Sequence, residues 1–263
     1  MPFAIALAIV LPIGAVLPWK RADLGRAMKP FAGALALTVA AALLAYAVTG
    51  GVSTLGPLGV ALAVWLVAGV VVDLWQRCGR GGFGQRLARL MRLPRADWGR
   101  AMAHAGFGVV IFGIVSLTTW AVEDIRVVKV VESYDLGPYQ VQFLGLSDEV
   151  GPNYTAKRAD MRVTKNGAEV AMLRPAKRTY PIAGMATTEA AIRPGIFGDI
   201  YLVVGDPQDG GGYAVRSYLK PFAIWLWIGG MMLALGGMLS LSDRRFRVAA
   251  GARRTSDAVV AAE

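Results

Sequence analysis

Ala101-Met-Ala-His104-Ala-Gly-Phe-Gly108-Val-Val-Ile-Phe-Gly113-Ile-Val-Ser-Leu-Thr-Thr-Trp-Ala121 is 21 residues without a formal charge, followed at once by a polar segment of alternating short runs. A helix needs ~20 apolar residues, at ~1.5 Å each, to cross the hydrocarbon core of a bilayer. The stretch therefore reads as a membrane span that delivers the chain into a folded domain. The same reading applies to Phe31–Thr49, Leu55–Trp75 and Pro221–Leu241. The shorter Phe3–Pro18 carries Pro12 and Gly14. A secretory leader places its positive charges before the apolar run, whereas here Lys20 and Arg21 follow it, so the stretch is expected to be a marginal span.

Residues 122–219 carry six strand-like runs: Ile125–Val131, Tyr139–Leu144, Asp160–Lys165, Ala168–Leu173, Asp199–Val204 and Tyr213–Leu219. Gly, Pro, Asn and Asp punctuate them. Asn166-Gly167 is a two-residue hairpin signal, because both residues tolerate the positive φ of a type I′ turn. The expected fold class is a polytopic α-helical membrane protein of about five transmembrane helices with an inserted extracytoplasmic β-rich domain, a barrel or a sandwich. Its domains are a membrane region over 1–121 with spans 3–18, 31–49, 55–75 and 101–121, the β domain over 122–219, a fifth span over 220–242 and a flexible cytoplasmic tail over 243–263.

The chain of 263 residues is 55% hydrophobic and 17% charged, which excludes a disordered tail or an ordinary soluble domain. Its 28 Lys+Arg against 18 Asp+Glu leave a net charge of +10, which raises nucleic acid or an anionic membrane surface as partners. Placement decides between them. The loop Trp19–Lys29 is at +3, Gln76–Arg100 at +6 and the tail from Asp243 at +2, whereas residues 122–219 are at −1 and Gly50–Thr54 is uncharged. The excess alternates in phase with five spans, as the positive-inside rule requires. The amino terminus is then outside, the carboxy terminus cytoplasmic and the β domain extracytoplasmic, with no basic face for nucleic acid. The arginines of 77–100 are placed to meet anionic lipid headgroups.

One cysteine, Cys78, excludes an internal disulfide or a CxxC pair, and one histidine excludes a multi-histidine metal site. That histidine, His104, stands about one turn inside the fourth span, with Asp97 placed to cap the helix. An ionisable residue inside a membrane is a functional candidate by default. Ala101 and Gly108 share its face, Ala103, Ala105 and Gly106 leave the flanks bare, and Gly99, Gly106 and Gly113 repeat every seven residues. Two arrangements account for so smooth a surface. One is close helix packing of the small-xxx-small type, with His104 bonded to a neighbouring helix. The other is a flat cleft for a porphyrin, with the imidazole as axial ligand, Gly108 beneath the ring and arginines such as Arg100 for the propionates. The tyrosines of the β domain, seven of the chain's eight, read as strand aromatics or as a docking surface. Glu189 has no second carboxylate or histidine beside it in sequence and is not read as catalytic.

Asp97-Trp-Gly-Arg-Ala-Met-Ala-His104-Ala-Gly106-Phe-Gly108, Gly151-Pro-Asn-Tyr154, Thr188-Glu-Ala-Ala-Ile192, Leu219-Lys-Pro-Phe222, Ala234-Leu-Gly-Gly237 and Asp243-Arg-Arg-Phe-Arg247, in that order, resemble the carboxy-terminal part of CcmF, from Phe3 to Arg247. That family is the haem-lyase membrane subunit of bacterial cytochrome c maturation. The resemblance implies that His104-Ala105-Gly106 holds one of two axial histidines of a membrane haem b. It further implies an inner-membrane protein that works with the haem chaperone CcmE, with CcmH and with apocytochrome c, whose CxxCH thiols receive the haem vinyl groups. The family's WWD segment, its flanking histidines and the first haem b histidine are absent. The chain is thus expected to be a split subunit, a truncated gene product or a fragment, to need an amino-terminal partner, and not to act alone. Two other functions remain open: a membrane-tethered protein-interaction module without a cofactor, and a quinone-reactive b-type cytochrome subunit.

Overall fold

The computed structural model describes residues 2–17, 25, 28–51 and 53–243. The chain divides into two compact units, residues 1–115 with 225–263 and residues 116–224.

The first unit is helical: α1 (Pro2–Val16), α2 (Ala32–Val48, entered through a 3-10 turn at Lys29–Phe31), α3 (Leu55–Arg77), α4 (Phe83–Leu90), α5 (Arg95–Thr119) and α6 (Ala223–Leu241). Among the described residues, four helices are long and apolar enough to cross a membrane: Lys29–Val48, Leu55–Arg77, Arg95–Thr119 and Ala223–Leu241. The first apolar stretch forms the 15-residue α1, with Pro12 inside it. At ~1.5 Å per residue it is shorter than the ~30 Å hydrocarbon core. It leans on α3, where Pro12 fills the space beside Gly69 and the Trp65 indole donates to the Ile9 carbonyl at 2.9 Å. Trp65 also packs on Phe31, with ring centroids 5.4 Å apart. The expected basic loop around Lys20 and Arg21, and the tail beyond Asp243, lie outside the described residues.

Several boundaries differ from the sequence reading: the first strand runs Val122–Val128 rather than 125–131, the next two read from the sequence are longer, at Tyr139–Val150 and Thr155–Lys165, and two further differences bear on the helices. The last strand, Tyr213–Pro221, continues through Lys220, which stands opposite Asp199, so the last helix begins at Ala223 rather than at 220. Helix α5 begins at Arg95, directly after Pro94, which puts Asp97 within its first turn instead of at its cap. The capping contact comes from elsewhere: the Asp243 carboxylate accepts the Ala96 N–H at 3.1 Å.

The second unit is an antiparallel β-sandwich of ten strands. One sheet has the order β1-β10-β9-β8 (Val122–Val128, Tyr213–Pro221, Gly198–Pro207, Ala191–Arg193). The other has the order β2-β3-β4-β6-β7 (Ser133–Leu136, Tyr139–Val150, Thr155–Lys165, Ala176–Tyr180, Met185–Glu189), with β5 (Ala168–Leu173) also on β4. Alternate residues of β3, β4, β9 and β10 point inward, and Val141, Phe143, Met161, Val163, Ile200 and Leu202 are fully buried between the sheets. The β4–β5 turn has Asn166 at φ 51° and Gly167 at φ 79°, the type I′ geometry the dipeptide favours.

Tyr134 and Ser217 join the two sheets through a buried hydroxyl–hydroxyl bond of 2.7 Å. Burial pushes the Tyr134 phenol up to about 12. A raised acid favours the neutral form in the folded state, so its contribution is complete below pH ~10, the unfolded value, and is lost as pH rises through the folded one. Thermal unfolding followed by near-ultraviolet dichroism should therefore show the melting temperature fall between pH 10 and about 12. Tyr134→Phe should flatten that fall, while costing roughly 1–2 kcal/mol at pH 8 for the unpaired Ser217 hydroxyl. An unchanged fall in the variant would assign it to other groups.

Candidate functional site

Four ionic side chains tie the end of α3 to the start of α5. Asp73, with its side chain 8% exposed, receives the Arg77 Nε at 3.1 Å and the Arg100 Nη2 at 2.6 Å. Asp97 receives the Arg77 Nη1 at 3.1 Å and lies 3.6 Å from the Arg100 Nη2. The helical spacing is what permits this. Asp73 and Arg77 are four residues apart on α3, Asp97 and Arg100 three apart on α5, and each pair presents one acid and one base to the other. A buried carboxylate left without a partner would be costly, and here two guanidinium groups compensate it.

His104 lies one turn beyond Arg100 on the same stripe of α5, and Gly108 one turn further. Gly108 is covered by α3: a Cβ there would stand 2.9 Å from the Ala63 carbonyl oxygen and 3.1 Å from both Leu66 and Val67. Gly59 of α3 is filled in the same way by Val115 of α5. The stripe of Arg100, His104 and Gly108 therefore faces α3, with a half-buried imidazole between an ion-paired arginine and a glycine packed on backbone. Arg100 and Gly108 are thus engaged by Asp73 and α3 respectively.

The heptad of glycines belongs to a different stripe. Gly99, Gly106 and Gly113 face α6, where Gly229 and Gly236 answer them at the same spacing. A Cβ on Gly106 would stand 2.9 Å from the Gly229 carbonyl oxygen, and one on Gly236 would stand 2.6 Å from the Gly99 carbonyl oxygen. This is the small-residue packing of membrane helices, and it accounts for that part of the smooth surface. Phe112 and Trp225 close it edge to face at 6.0 Å.

For a haem ligand the donor required is an imidazole nitrogen, and on α5 the residue of that type is His104. Among the described residues no group of three or more His, Cys, Asp and Glu is placed to hold a metal ion. Cys78 is buried at the end of α3, its thiol donating to the Leu74 carbonyl at 3.2 Å. Glu189 on β7 pairs with Arg178 at 3.3 Å, the bond of a strand-to-strand ion pair. Sequence reasoning assigned no role to Asp73. The available signal was an isolated acid inside an apolar helix, which requires a cationic partner.

Comparison with known proteins adds a second line. A family model described as the CcmF C-terminal beta-sandwich matches residues 119–221. Cytochrome c-type biogenesis protein ccl1 of Rhodobacter capsulatus is 48% identical over 99% of this chain and 39% of its own length. CcmF of Haemophilus influenzae is 34% identical over 91% of this chain and 37% of its own length. CcmF of Escherichia coli is 33% identical over 97% of this chain and 38% of its own length. The chain spans about two-fifths of the length of these curated relatives. A solved structure titled Cytochrome c Heme Lyase CcmF superposes with a TM-score of 0.74 at 18% identity, covering 92% of this chain and 39% of that one, a likeness of fold.

Proposed function

Because this chain corresponds over nearly its whole length to the carboxy-terminal part of CcmF, a cytochrome c-type biogenesis protein, we propose that it forms part of a haem lyase in the bacterial inner membrane. The observation that carries the reading is 48% identity to the Rhodobacter capsulatus relative across 99% of the chain, through the helices and the β-sandwich alike. The arginine surplus of the 76–100 loop supports a topology with that loop in the cytoplasm and the nearly neutral β-sandwich outside. In this topology the amino terminus is outside, α1 is a marginal span too short to cross the core unaided, and the carboxy terminus is cytoplasmic.

His104, the sole histidine, contributes one axial ligand to a haem b whose other ligand comes from an amino-terminal partner. When bound, haem b would supply one-electron redox chemistry near the delivered haem. The residues of this chain hold the imidazole in place. Asp73 and Asp97 fix Arg100, one turn below it, and the close approach of Gly108 to α3 fixes the turn above. Arg100 and Gly108 act as positioning residues in this reading. Outside the membrane, the β-sandwich docks apocytochrome c presented by CcmH, beside haem brought by CcmE, so that the CxxCH thiols meet the haem vinyl groups.

Deleting this segment in its host is expected to abolish covalently bound c-type haem, read by peroxidase staining of denaturing gels, while sparing b-type cytochromes. A quinone-reactive cytochrome subunit predicts loss of quinol oxidation with c-type attachment intact, and a cofactor-free interaction module predicts no loss of haem from the complex. Normal c-type staining in the deletion strain would overturn the proposal.

A further inference from the structure

Between α3 and α5 the chain makes connections of only five and four residues, yet Phe83–Leu90 forms a helix of its own. At about 100° per residue, Leu90, Phe83, Leu87 and Met91 fall in one arc of roughly 100°, with Gln85 opposite. Phe83, Leu87 and Met91 are 71%, 45% and 76% exposed. The polar side is turned back on α3. Arg86 donates to the Trp75 carbonyl and stacks 4.0 Å above the Trp75 ring. Arg89 donates to the Cys78 carbonyl at 3.1 Å and the Arg80 carbonyl at 2.7 Å. These bonds satisfy acceptors left open at the end of a helix and add positive charge where its dipole is negative.

Helix α4 is thus clamped at the level where one membrane-crossing helix ends and the next begins, with Phe83 at the edge of its apolar arc resting on the Trp75 ring at 5.8 Å and Leu87 and Met91 left exposed. We propose that α4 lies in the plane of the bilayer surface and docks on a leaflet of anionic lipid. Phe83, Leu87, Leu90 and Met91 enter the boundary between headgroups and acyl chains, and the exposed Arg80, Arg92 and Arg95 meet headgroup phosphates. Charge complementarity selects this occupant. Residues 77–100 hold seven arginines and a single acid, Asp97, which is already bonded to Arg77. The inference uses only the membrane-crossing helices and is independent of the haem-lyase reading.

The test is spin-label accessibility on the full chain in nanodiscs of phosphatidylcholine with or without phosphatidylglycerol. In a Cys78→Ser background, nitroxides are placed at Leu87→Cys and Met91→Cys, with Gln85→Cys as the polar-side reference; either apolar-side label suffices if the other variant misfolds. In discs containing phosphatidylglycerol, the labels at 87 and 91 should collide readily with oxygen and be shielded several-fold from an aqueous nickel chelate relative to 85. That shielding should weaken without phosphatidylglycerol and in R80Q/R92Q/R95Q. Free access of nickel to all three positions would overturn the proposal. So would equal insertion in both lipids, or shielding from oxygen and nickel together, which marks cover by protein.

Discussion

Asp73→Ala is expected to lower the stability of the helical unit by about 2–3 kcal/mol, less than the loss from a fully buried ion pair because the arginines it leaves unpaired are partly exposed. The side chain is 8% exposed and holds two guanidinium groups, Arg77 at 3.1 Å and Arg100 at 2.6 Å. Without it, two cations at a helix interface share the single carboxylate of Asp97. The loss should be read as a fall in melting temperature of the chain in nanodiscs. Because the groups form one network, Arg100→Gln added to Asp73→Ala should restore part of the loss rather than add to it. Strict additivity of the two substitutions would show that the bridge between α3 and α5 does not hold them together.

The second large effect is expected at Gly106. Any Cβ there would stand 2.8 Å from the Met232 Cβ and 2.9 Å from the Gly229 carbonyl oxygen and the Leu233 nitrogen. The obstacle is mostly backbone, which cannot rotate aside, so Gly106→Val must push α5 and α6 apart. Overpacking of this kind costs about 1–3 kcal/mol or more, and here it also forfeits the neighbouring approaches at Gly99 and Gly113. The internal control is Gly33 in α2, where a Cβ would meet nothing within 4 Å. Gly33→Ala should be neutral or stabilising by up to ~1 kcal/mol, because alanine is the better helix former. Similar melting temperatures for G106V and G33A would refute the packing account.

Four apolar stretches were legible as helices of spanning length because a bilayer imposes length and composition together, whereas the first forms a helix of only 15 residues. The longer strands were legible from their alternation. The short ones were not: Ser133–Leu136 and Ala191–Arg193 offer too few residues to establish a period of two. Lys220 shows the limit at boundaries. Beside Pro221 and an apolar run it reads as the start of a span, but its pairing opposite Asp199 keeps it in the sheet.

The candidate site was legible one helix at a time. Heptad glycines on α5 announced a packing surface, and the matching Gly229 and Gly236 on α6 were the signal for its partner. That Asp73 would meet Arg100, and that Asp243 rather than Asp97 would serve the start of α5, depended on which helices are neighbours. Spacing within one helix carries no information about that.

The proposed ligation of a haem iron by His104 can be tested directly. The most direct measurement is the reduced absorption spectrum of the complex purified after co-expression with the amino-terminal part of the relatives' chain, wild type against His104→Ala. A b-type spectrum in the wild type that is lost in the variant, while helical dichroism and the partner's presence are retained, is the predicted result. Unchanged haem content and spectrum in His104→Ala would contradict it.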